Sequence, residues 1–387
     1  MTRRLGLNLV VAVNAGLHEL EPLASLYVED APPRFAKADP SLIVYTSGTT
    51  GRPKGVAMPE RPPPPSVEAA GPPGVMLITM PMHHASGPNQ VWKGRATGRR
   101  TVLMNRFDAE QVLALIERHG VNYWAAVPTM CQRISVLPPE ILSRYDVSSI
   151  KAISLGAAPV PYGLKQWAVG HFGPGKLSEG YGSTETGMIS SLSPADQLVK
   201  PGSSGLPFKG VAIRIRDGAG RDLPPGETGD IWVKTPTTIR AYLNADALGA
   251  DVRDAEGFFK VGDVGRLEAD GHLYLTDRSK DMIVAGGVNI YPAEIEAELQ
   301  AHPQVLAAAV IGVPDDDLGE APIAFLEMRP GAVAGPEEIA ATVRDRLAAF
   351  KRPRAIHIID ELPRNPMGKI LKTELRAPFW KGRERNI

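Results

Sequence analysis

The feature that most constrains this chain is the alternation of short apolar runs with an amphipathic run between residues 75 and 155. The apolar runs have the length of strands and lie at Val75–Met80, Asn122–Val127 and Ile150–Leu155. Between the first two, Ala109–His119 carries apolar residues at the spacing of an amphipathic helix. Strands that alternate with helices predict a parallel α/β sheet.

The pattern changes twice further along the chain. After about residue 205, short strand-like runs at 212–215, 230–233 and 271–275 are joined by Gly, Pro and Asp turns, which predicts an antiparallel β subdomain. After Lys280, a helix at 294–300, strands at 306–313 and 322–328 and a helix at 336–350 predict an α+β unit. We therefore expect an N-terminal domain over 1–279, divided into 1–205 and 206–279, and a C-terminal domain over 280–387.

Composition excludes several classes of protein. The 43 basic and 43 acidic residues balance, which argues against a nucleic-acid partner bound through a broad basic surface. The single cysteine, Cys131, excludes an intramolecular disulfide and a multi-cysteine zinc site. No stretch approaches the ~20 apolar residues of a transmembrane segment, and Leu7–Val13 predicts a strand rather than part of a signal peptide. We expect a soluble, cytoplasmic protein, with a surface loop at Pro59–Pro73.

The strongest local motif is a Gly- and hydroxyl-rich segment behind the apolar residues Leu42–Val44. It reads Tyr45-Thr46-Ser47-Gly48-Thr49-Thr50-Gly51-Arg52-Pro53-Lys54-Gly55. Hydroxyls, approachable backbone N–H groups and one cation together suit a polyphosphate. It is not a Walker A loop, because no Gly-Lys-Ser/Thr closes it. A flexible polar turn without a binding role is the alternative, but it does not account for three glycines and four Ser/Thr hydroxyls in one segment.

This segment resembles the phosphate-binding signature of the adenylate-forming enzymes, which include acyl- and aryl-CoA ligases, luciferases and peptide-synthetase adenylation domains. Further motifs of that family follow in its order, at 81–87, 154–159, 180–185, 262–263, 277–281, 286–292 and 363–369. The resemblance covers residues 40 to 376. It implies the acyl-CoA synthetase-like (luciferase-like) fold, in which a large α/β domain is followed by a small, mobile α+β domain.

The resemblance also implies a nucleotide site. Its cofactor-binding residues are Thr46, Ser47, Gly48, Thr49, Thr50, Gly51 and Lys54 around the phosphates, Gly156, Ala157, Ala158 and Pro159 along the adenine and acyl sites, Tyr181 at adenine with Gly182 next to it, Asp263 at the ribose hydroxyls, and Arg278 at the nucleotide. Glu185, with Thr184 beside it, would coordinate Mg²⁺ that bridges the phosphates. The bland alternatives are a solvated carboxylate for Glu185, ordinary packing for Tyr181 and a turn cap for Asp263.

Lys369 is the strongest candidate for a catalytic residue. Taken alone, a lysine near a C-terminus is usually a solvated surface charge. Within its motif, Lys369 resembles the lysine that stabilises charge at the α-phosphate and orients the carboxylate. Lys280 matches the hinge about which the C-terminal domain rotates, and Gly286-Gly287 matches the segment that leaves room for the pantetheine arm of CoA. His84 aligns with a histidine by the acyl pocket and thiol tunnel.

The implied activity is a two-step ligation that uses ATP, Mg²⁺ and CoA. A small-molecule carboxylic acid becomes an acyl-adenylate, and its acyl group passes to a thiol. The short spacing from Asp263 to Gly286 makes an acyl carrier protein a less favoured acceptor, and the lack of Asp between Met76 and Arg106 argues against an amino acid. A fatty, alicyclic or steroid-like acid is expected. It would bind in an apolar pocket, for which four side chains are candidate lining residues. They are Trp92, Trp124, Met130 and Met188.

One departure from the family pattern leaves alternatives open. Family members carry a much longer segment before the phosphate loop, which here starts at Tyr45. The start is misassigned, or the chain is naturally short and active, or it is specialised for thioesterification of an adenylate made elsewhere. A different class of function is a non-catalytic scaffold that binds nucleotide or acyl groups. In that case an exposed sheet edge would drive association, for example into a homodimer.

Overall fold

The structure of the protein is a computed structural model. It describes residues 9–13, 16–18, 43–47, 53–57, 74–82, 84–239, 242, 252–365 and 368–381. The predicted N-terminal strand is present as β1 (Leu9–Val13), followed by β2 (Gly16–His18). The Pro-rich segment Pro59–Pro73 lies outside the described residues.

Thirteen strands within the described ranges are hydrogen-bonded into one large sheet. In spatial order they are β12 (Ala212–Arg216), β13 (Gly229–Lys234), β14 (Phe259–Leu267), β15 (Leu273–Arg278), β11 (Ser203–Pro207), β10 (Gly187–Leu192), β9 (Leu177–Ser183), β8 (Ala152–Gly156), β7 (Tyr123–Ala126), β5 (Val75–Ile78), β6 (Arg100–Met104), β1 and β2. The strands from β9 through β8, β7, β5 and β6 to β1 pair in parallel. The predicted parallel α/β fold is therefore confirmed.

The strands of the predicted β subdomain continue this same sheet. From β9 to β12 every pair is antiparallel. Strand β11 makes the connection, because it pairs with β10 on one side and with β15 on the other. The change from parallel to antiparallel pairing thus begins at the β9–β10 turn, which carries Glu185.

Helices cover the parallel part of the sheet and bury its core. They are α1 (Ser86–Ala96), α2 (Ala109–His119), α3 (Pro128–Ser135), α4 (Pro139–Leu142) and α5 (Tyr162–Phe172). The predicted helix Ala109–His119 is confirmed at both ends. The Asp108 carboxylate accepts a hydrogen bond from the Gln111 N–H at 2.8 Å as an N-cap, and Gly120 ends the helix with a φ of 58°. Its apolar face is buried against the sheet.

The C-terminal part of the chain forms a five-stranded sheet with three helices. The strands are β16 (Ile283–Ala285), β17 (Val288–Ile290), β18 (Val305–Asp315), β19 (Gly319–Met328) and β20 (Ile356–Ile359). The helices are α6 (Pro292–Gln300), α7 (Pro336–Arg344) and α8 (Lys372–Arg376). The strands β3 (Ile43–Ser47) and β4 (Pro53–Ala57) form a third, two-stranded sheet. In the described parts of the chain, no helix is long and apolar enough to cross a membrane.

The predicted helix over 336–350 is too long. Helix α7 ends at Arg344, and Ala349–Lys351 forms a separate 3₁₀ turn. Leu347 is buried, which extends the apolar pattern past the helix end. Ala348 then adopts a ψ of 148°, which the helical backbone does not allow. The apolar periodicity thus continues through a chain reversal, and this is why it overstates the helix.

A buried ion pair joins α5 to the strand that leads into the site. Lys165 on α5 is 2% exposed, and its Nζ lies 2.5 Å from Oε2 of Glu179 on β9. Burial raises the pKa of Glu179, although the charge of Lys165 opposes this shift. The pair holds β9 against α5 two residues before Tyr181. A buried charge without its partner is strongly destabilising.

We predict that Lys165→Met lowers the free energy of unfolding by about 3–5 kcal/mol at neutral pH, because it leaves the Glu179 carboxylate buried without a counter-charge. Urea denaturation measures this loss. Glu179 has a raised pKa in the folded state, so protonation favours folding. The difference in unfolding free energy between the variant and the wild type should therefore shrink as the pH falls toward 4.5, the ordinary pKa of a glutamate carboxyl group. The same difference should grow as the pH rises.

The double variant Lys165→Met/Glu179→Gln is the matched control, since it removes both charges. It should recover most of the lost stability. Equal destabilisation of the single and double variants, with no dependence on pH, would show that packing rather than the ion pair matters at this position.

Candidate active site

The carboxyl ends of the parallel strands β5, β7, β8 and β9 meet at one edge of the large sheet, where α/β proteins commonly bind ligands. His84 follows β5, and the turn over 156–159 begins at the end of β8. Thr184 and Glu185 lie in the turn after β9. The topology therefore brings together predicted site segments that are far apart in sequence.

The predicted phosphate loop connects β3 to β4. In this hairpin Thr46 pairs with Lys54 and Ser47 with Pro53. The residues at the tip of the loop, Gly48, Thr49, Thr50 and Gly51, lie outside the described residues. Val56 is fully buried in a cluster that includes Ala85, so the hairpin packs beside the loop that carries His84.

The turn that carries Glu185 is held by a threonine-rich segment. The N–H of Ile239 donates to the carbonyl of Glu185 at 2.8 Å. The hydroxyls of Thr235 and Thr237 both donate to the carbonyl of Thr186, each at 2.7 Å. These bonds satisfy two successive carbonyls of the turn and fix its backbone.

Tyr242 contacts the Glu185 side chain, a contact that the sequence analysis missed. Its hydroxyl is hydrogen-bonded to the Glu185 carboxylate, and its backbone forms an antiparallel bridge with Val56 of β4. Burial and the neighbouring Glu185 charge raise the pKa of Tyr242 to about 12. Tyr242 lies far from Glu185 in sequence and outside every motif, so no pattern pointed to it.

The side chains at this edge fit a magnesium ion shared with phosphates. In the described ranges, no cluster of three or more His, Cys, Asp or Glu side chains could form an all-protein metal site. Mg²⁺ usually needs only one or two carboxylates, because substrate phosphates and water complete its octahedron. Glu185 is half-buried at the edge of the sheet and supplies one such carboxylate.

Tyr181 of β9 lies beside Asp263 of β14, which pairs with Arg278 of β15. The Tyr181 hydroxyl donates to Oδ2 of Asp263 at 2.6 Å, and Nε of Arg278 lies 3.8 Å from Oδ1. Burial raises the pKa of Asp263, while the Tyr181 bond and the Arg278 charge oppose that shift. Burial and the Asp263 charge likewise raise the pKa of Tyr181 well above its usual value. These three predicted nucleotide-binding residues thus form one connected group.

The turn after β8 is tight and strained. Ala157 has a φ of 67°, the only positive φ of a non-glycine residue in the part of the chain that the structure describes. A Cβ on Gly156 would lie 2.7 Å from the carbonyl oxygen of Gly180, so the two strands approach closely here. Such strain is typical of functional sites. Ala158 and Pro159 complete the turn.

Two further predicted residues border the edge. His84 lies after β5, and its Nδ1 is 3.0 Å from Oγ of Ser86 at the start of α1. Gly182 lies near the end of β9, where a Cβ would fall 2.9 Å from Cα of Met188. The absence of a side chain therefore lets β9 and β10 close around the Glu185 turn.

The loop that carries Lys369 lies against the carboxyl end of β7. Gly368 packs so closely on Thr129, at the start of α3, that a Cβ would overlap the threonine side chain. The N–H of Lys369 donates to Oδ1 of Asn365 at 3.0 Å, and the carbonyl of Lys369 accepts from the Asn365 N–H at 2.9 Å. The loop is thus braced by its own hydrogen bonds and docked on the start of α3, next to the carboxyl end of β7.

The predicted CoA-side segment, Gly286-Gly287, does not lie at this edge of the large sheet. Gly286 and Gly287 form the exposed turn between β16 and β17, and Gly286 lies beside Leu318. Lys280 is exposed in the 3₁₀ turn Ser279–Asp281, which joins the large sheet to the C-terminal sheet. The structure therefore brings Lys369, and not the glycine pair, to the edge of the large sheet.

The apolar pocket candidates have different surroundings. Met130 lines a cleft of about 420 Å³ between α3 and the loop over 361–368. Trp124 is fully buried, and its Nε1 donates to Oγ1 of Thr79 at 3.2 Å. Trp92 is half-buried on α1, and Met188 is 52% exposed. Trp124 is thus a core residue, which corrects its assignment to the pocket.

Cys131 takes no part in this cleft. It is completely buried in the main core, and burial raises the pKa of its thiol to about 12. A thiol that keeps its proton is a poor nucleophile. Cys131 therefore acts as a packing residue.

The chain is similar to known ligases along most of its length. It is 36% identical over 369 residues to the 2-succinylbenzoate–CoA ligase of Bacillus licheniformis, an alignment that covers 94% of this chain and 73% of the relative. The amide bond synthetase McbA from Marinactinospora thermotolerans shares the fold at a TM-score of 0.78, with 33% identity over 87% of this chain and 69% of that protein. The o-succinylbenzoate coenzyme A synthetase MenE of Bacillus subtilis, solved with ATP and magnesium ion, matches at a TM-score of 0.71, with 34% identity over 86% of this chain and 69% of that protein.

Two family models match consecutive parts of the sequence. The model described as AMP-binding enzyme matches residues 6–243, and the model described as AMP-binding enzyme C-terminal domain matches residues 294–369. The first match alone spans more than half of the chain and includes the phosphate hairpin, the Glu185 turn and Tyr242. This protein belongs to the AMP-binding enzyme family.

Proposed function

We propose that this protein is an AMP-forming acid–thiol ligase, which activates a carboxylic acid with ATP and transfers the acyl group to CoA. The observation that carries the proposal is the docking of Gly368 on Thr129, which places the Lys369 loop on the edge that holds the Glu185 turn. The named ligases among its relatives support the same reaction class. We also propose that the boundary between the N-terminal and C-terminal domains lies between residues 279 and 280.

In the first half-reaction, a carboxylate oxygen of the acid attacks the α-phosphorus of ATP while the bond to pyrophosphate breaks. Lys369 supplies a positive charge where negative charge develops, and it orients the incoming carboxylate. Glu185 would hold Mg²⁺, which would supply neutralisation of the phosphate charge. Asp263 would accept hydrogen bonds from the ribose, within the group that includes Tyr181 and Arg278.

In the second half-reaction, the CoA thiol attacks the acyl carbon and AMP leaves. The exposed Gly286–Gly287 turn has room for a pantetheine arm, because nothing lies within 4 Å of a Cβ built on Gly287. Rotation at the exposed Lys280 would bring this turn to the edge and remove Lys369 from it. His84 would lie beside the incoming acyl group.

We propose that the acid is fatty, alicyclic or steroid-like. The cleft beside the Lys369 loop has an apolar part that includes Phe107, Val127 and Met130, although Arg133, Glu361 and Arg364 also line it. The relative from Bacillus licheniformis is named for an aromatic acid. An acid panel should therefore include aromatic acids beside fatty and alicyclic ones.

We predict that Lys369→Ala lowers acid-dependent ATP–pyrophosphate exchange by about 100- to 1,000-fold, because a positioned cation at developing charge is lost. Thioester formation from supplied acyl-adenylate and CoA should persist, since that step does not use Lys369. Isotope exchange and mass spectrometry of the CoA product measure the two steps separately.

Lys351→Ala is the matched control, because Lys351 is in the same C-terminal unit and pairs with Glu294 at 2.7 Å, outside the site. It should leave both half-reactions unchanged. A Lys369→Ala variant with normal exchange would contradict the assigned role. A wild-type protein that forms thioester only from supplied adenylate would instead support the thioesterification-only alternative.

We also predict that Gly368→Ala lowers the exchange reaction by about 100-fold, because the new Cβ would displace the Lys369 loop from Thr129. Thioester formation from supplied adenylate should change little. Both rates are measured as for Lys369→Ala, with melting temperature as a check on folding.

Gly331→Ala is the control for backbone strain. Gly331 has a φ of 78°, close to the 72° of Gly368, but nothing lies within 4 Å of its Cβ position. The control should keep normal exchange. If Gly331→Ala and Gly368→Ala lowered both half-reactions equally, the docking of the loop on Thr129 would not be the cause.

A further inference from the structure

Glu185 has two structural supports, one for its backbone and one for its side chain. Its backbone is fixed by Ile239, whose N–H donates to the Glu185 carbonyl at 2.8 Å. Its carboxylate is hydrogen-bonded to the hydroxyl of Tyr242, three residues further along. The same segment therefore sets both the position of the turn and the direction of the carboxylate.

Tyr242 is also tied to the phosphate hairpin. Its backbone bridges Val56 of β4, and its side chain packs against a buried cluster. The cluster contains Val44 and Val56 of the hairpin, Ala85 and Ile239. One residue thus pairs with the hairpin through its backbone, packs on the cluster that contains two hairpin residues, and contacts Glu185 through its hydroxyl.

We propose that Tyr242 is a positioning residue that sets the Glu185 carboxylate relative to the phosphate hairpin, so that one magnesium ion can contact both Glu185 and the ATP phosphates. This inference rests on the proposed ATP-dependent reaction and adds a residue to its metal site. Tyr242 touches neither the reacting atoms nor the ion in this role; it acts through Glu185.

The physical reason is the strict geometry of magnesium. Mg²⁺ requires oxygen ligands at about 2.0–2.1 Å in a near-ideal octahedron. A glutamate side chain on a turn can rotate out of that geometry, and a hydroxyl that donates to one carboxylate oxygen restrains it. Hydrogen bonds to ligating groups of this kind are commonly worth about 10- to 100-fold in metal affinity.

The test is Tyr242→Phe, which removes the hydroxyl and keeps the ring in its cluster. Calorimetry measures ATP affinity twice, once with excess Mg²⁺ and once with EDTA. We expect the affinity for MgATP to fall by about 10- to 100-fold, with the affinity in EDTA unchanged. The unchanged EDTA value also shows that the nucleotide site is still folded.

Two further variants sharpen the comparison. Tyr145→Phe is the matched control, because the Tyr145 hydroxyl donates to Oε1 of Glu110 at 2.7 Å on α2, outside the site; it should change neither affinity. Adding Tyr242→Phe to Glu185→Gln should cause no further loss, since both changes act on one interaction.

Equal losses of affinity in Mg²⁺ and in EDTA would overturn the proposal and give Tyr242 a purely structural role. Unchanged MgATP affinity would overturn it as well. The binding comparison is independent of turnover. Failure of the ligase function would appear separately, as a wild-type protein that binds MgATP but forms no CoA thioester from any acid.

Discussion

The site depends on the backbone hydrogen bonds that pair β5, β7, β8 and β9 in parallel. Parallel pairing makes every one of these strands end at the same edge, so the segments after them meet although they are far apart in sequence. Gly156 allows β8 and β9 to approach closely at that edge. The buried Lys165–Glu179 pair then holds β9 on α5, just before the strand reaches Tyr181 and the Glu185 turn.

The switch from parallel to antiparallel pairing explains why the predicted nucleotide residues and the predicted metal ligand lie close together. The chain reverses after β9, and the reversal places Glu185 in a turn that a later segment can brace. Beyond it, β14 and β15 bring Asp263 and Arg278 toward Tyr181. The C-terminal unit reaches this edge through the loop that carries Lys369, where the absence of a side chain at Gly368 permits contact with Thr129. The predicted nucleotide residues therefore lie on the large sheet, and the predicted catalytic lysine lies on a loop of the C-terminal unit.

Local patterns in the sequence predicted the elements well where the physical cause was local. The helix Ala109–His119 has its apolar spacing and both caps in its own residues, whereas the helix over 336–350 was overstated because Leu347 is buried beyond the helix end. Trp124 resembled a pocket residue only by type; its burial follows from the packing of the whole sheet. Tyr242 was not predictable, because its contacts to Glu185 and Val56 depend on long-range folding.

We propose that this edge of the sheet joins an acid to CoA through an acyl-adenylate. The decisive experiment is to incubate the wild-type protein with MgATP, CoA and single carboxylic acids, and to follow AMP and acyl-CoA by mass spectrometry. We expect acid-dependent AMP and a matching amount of acyl-CoA for at least one apolar acid, and neither product without MgATP. A folded, monodisperse protein that yields neither product with any fatty, alicyclic, steroid-like or aromatic acid would contradict it.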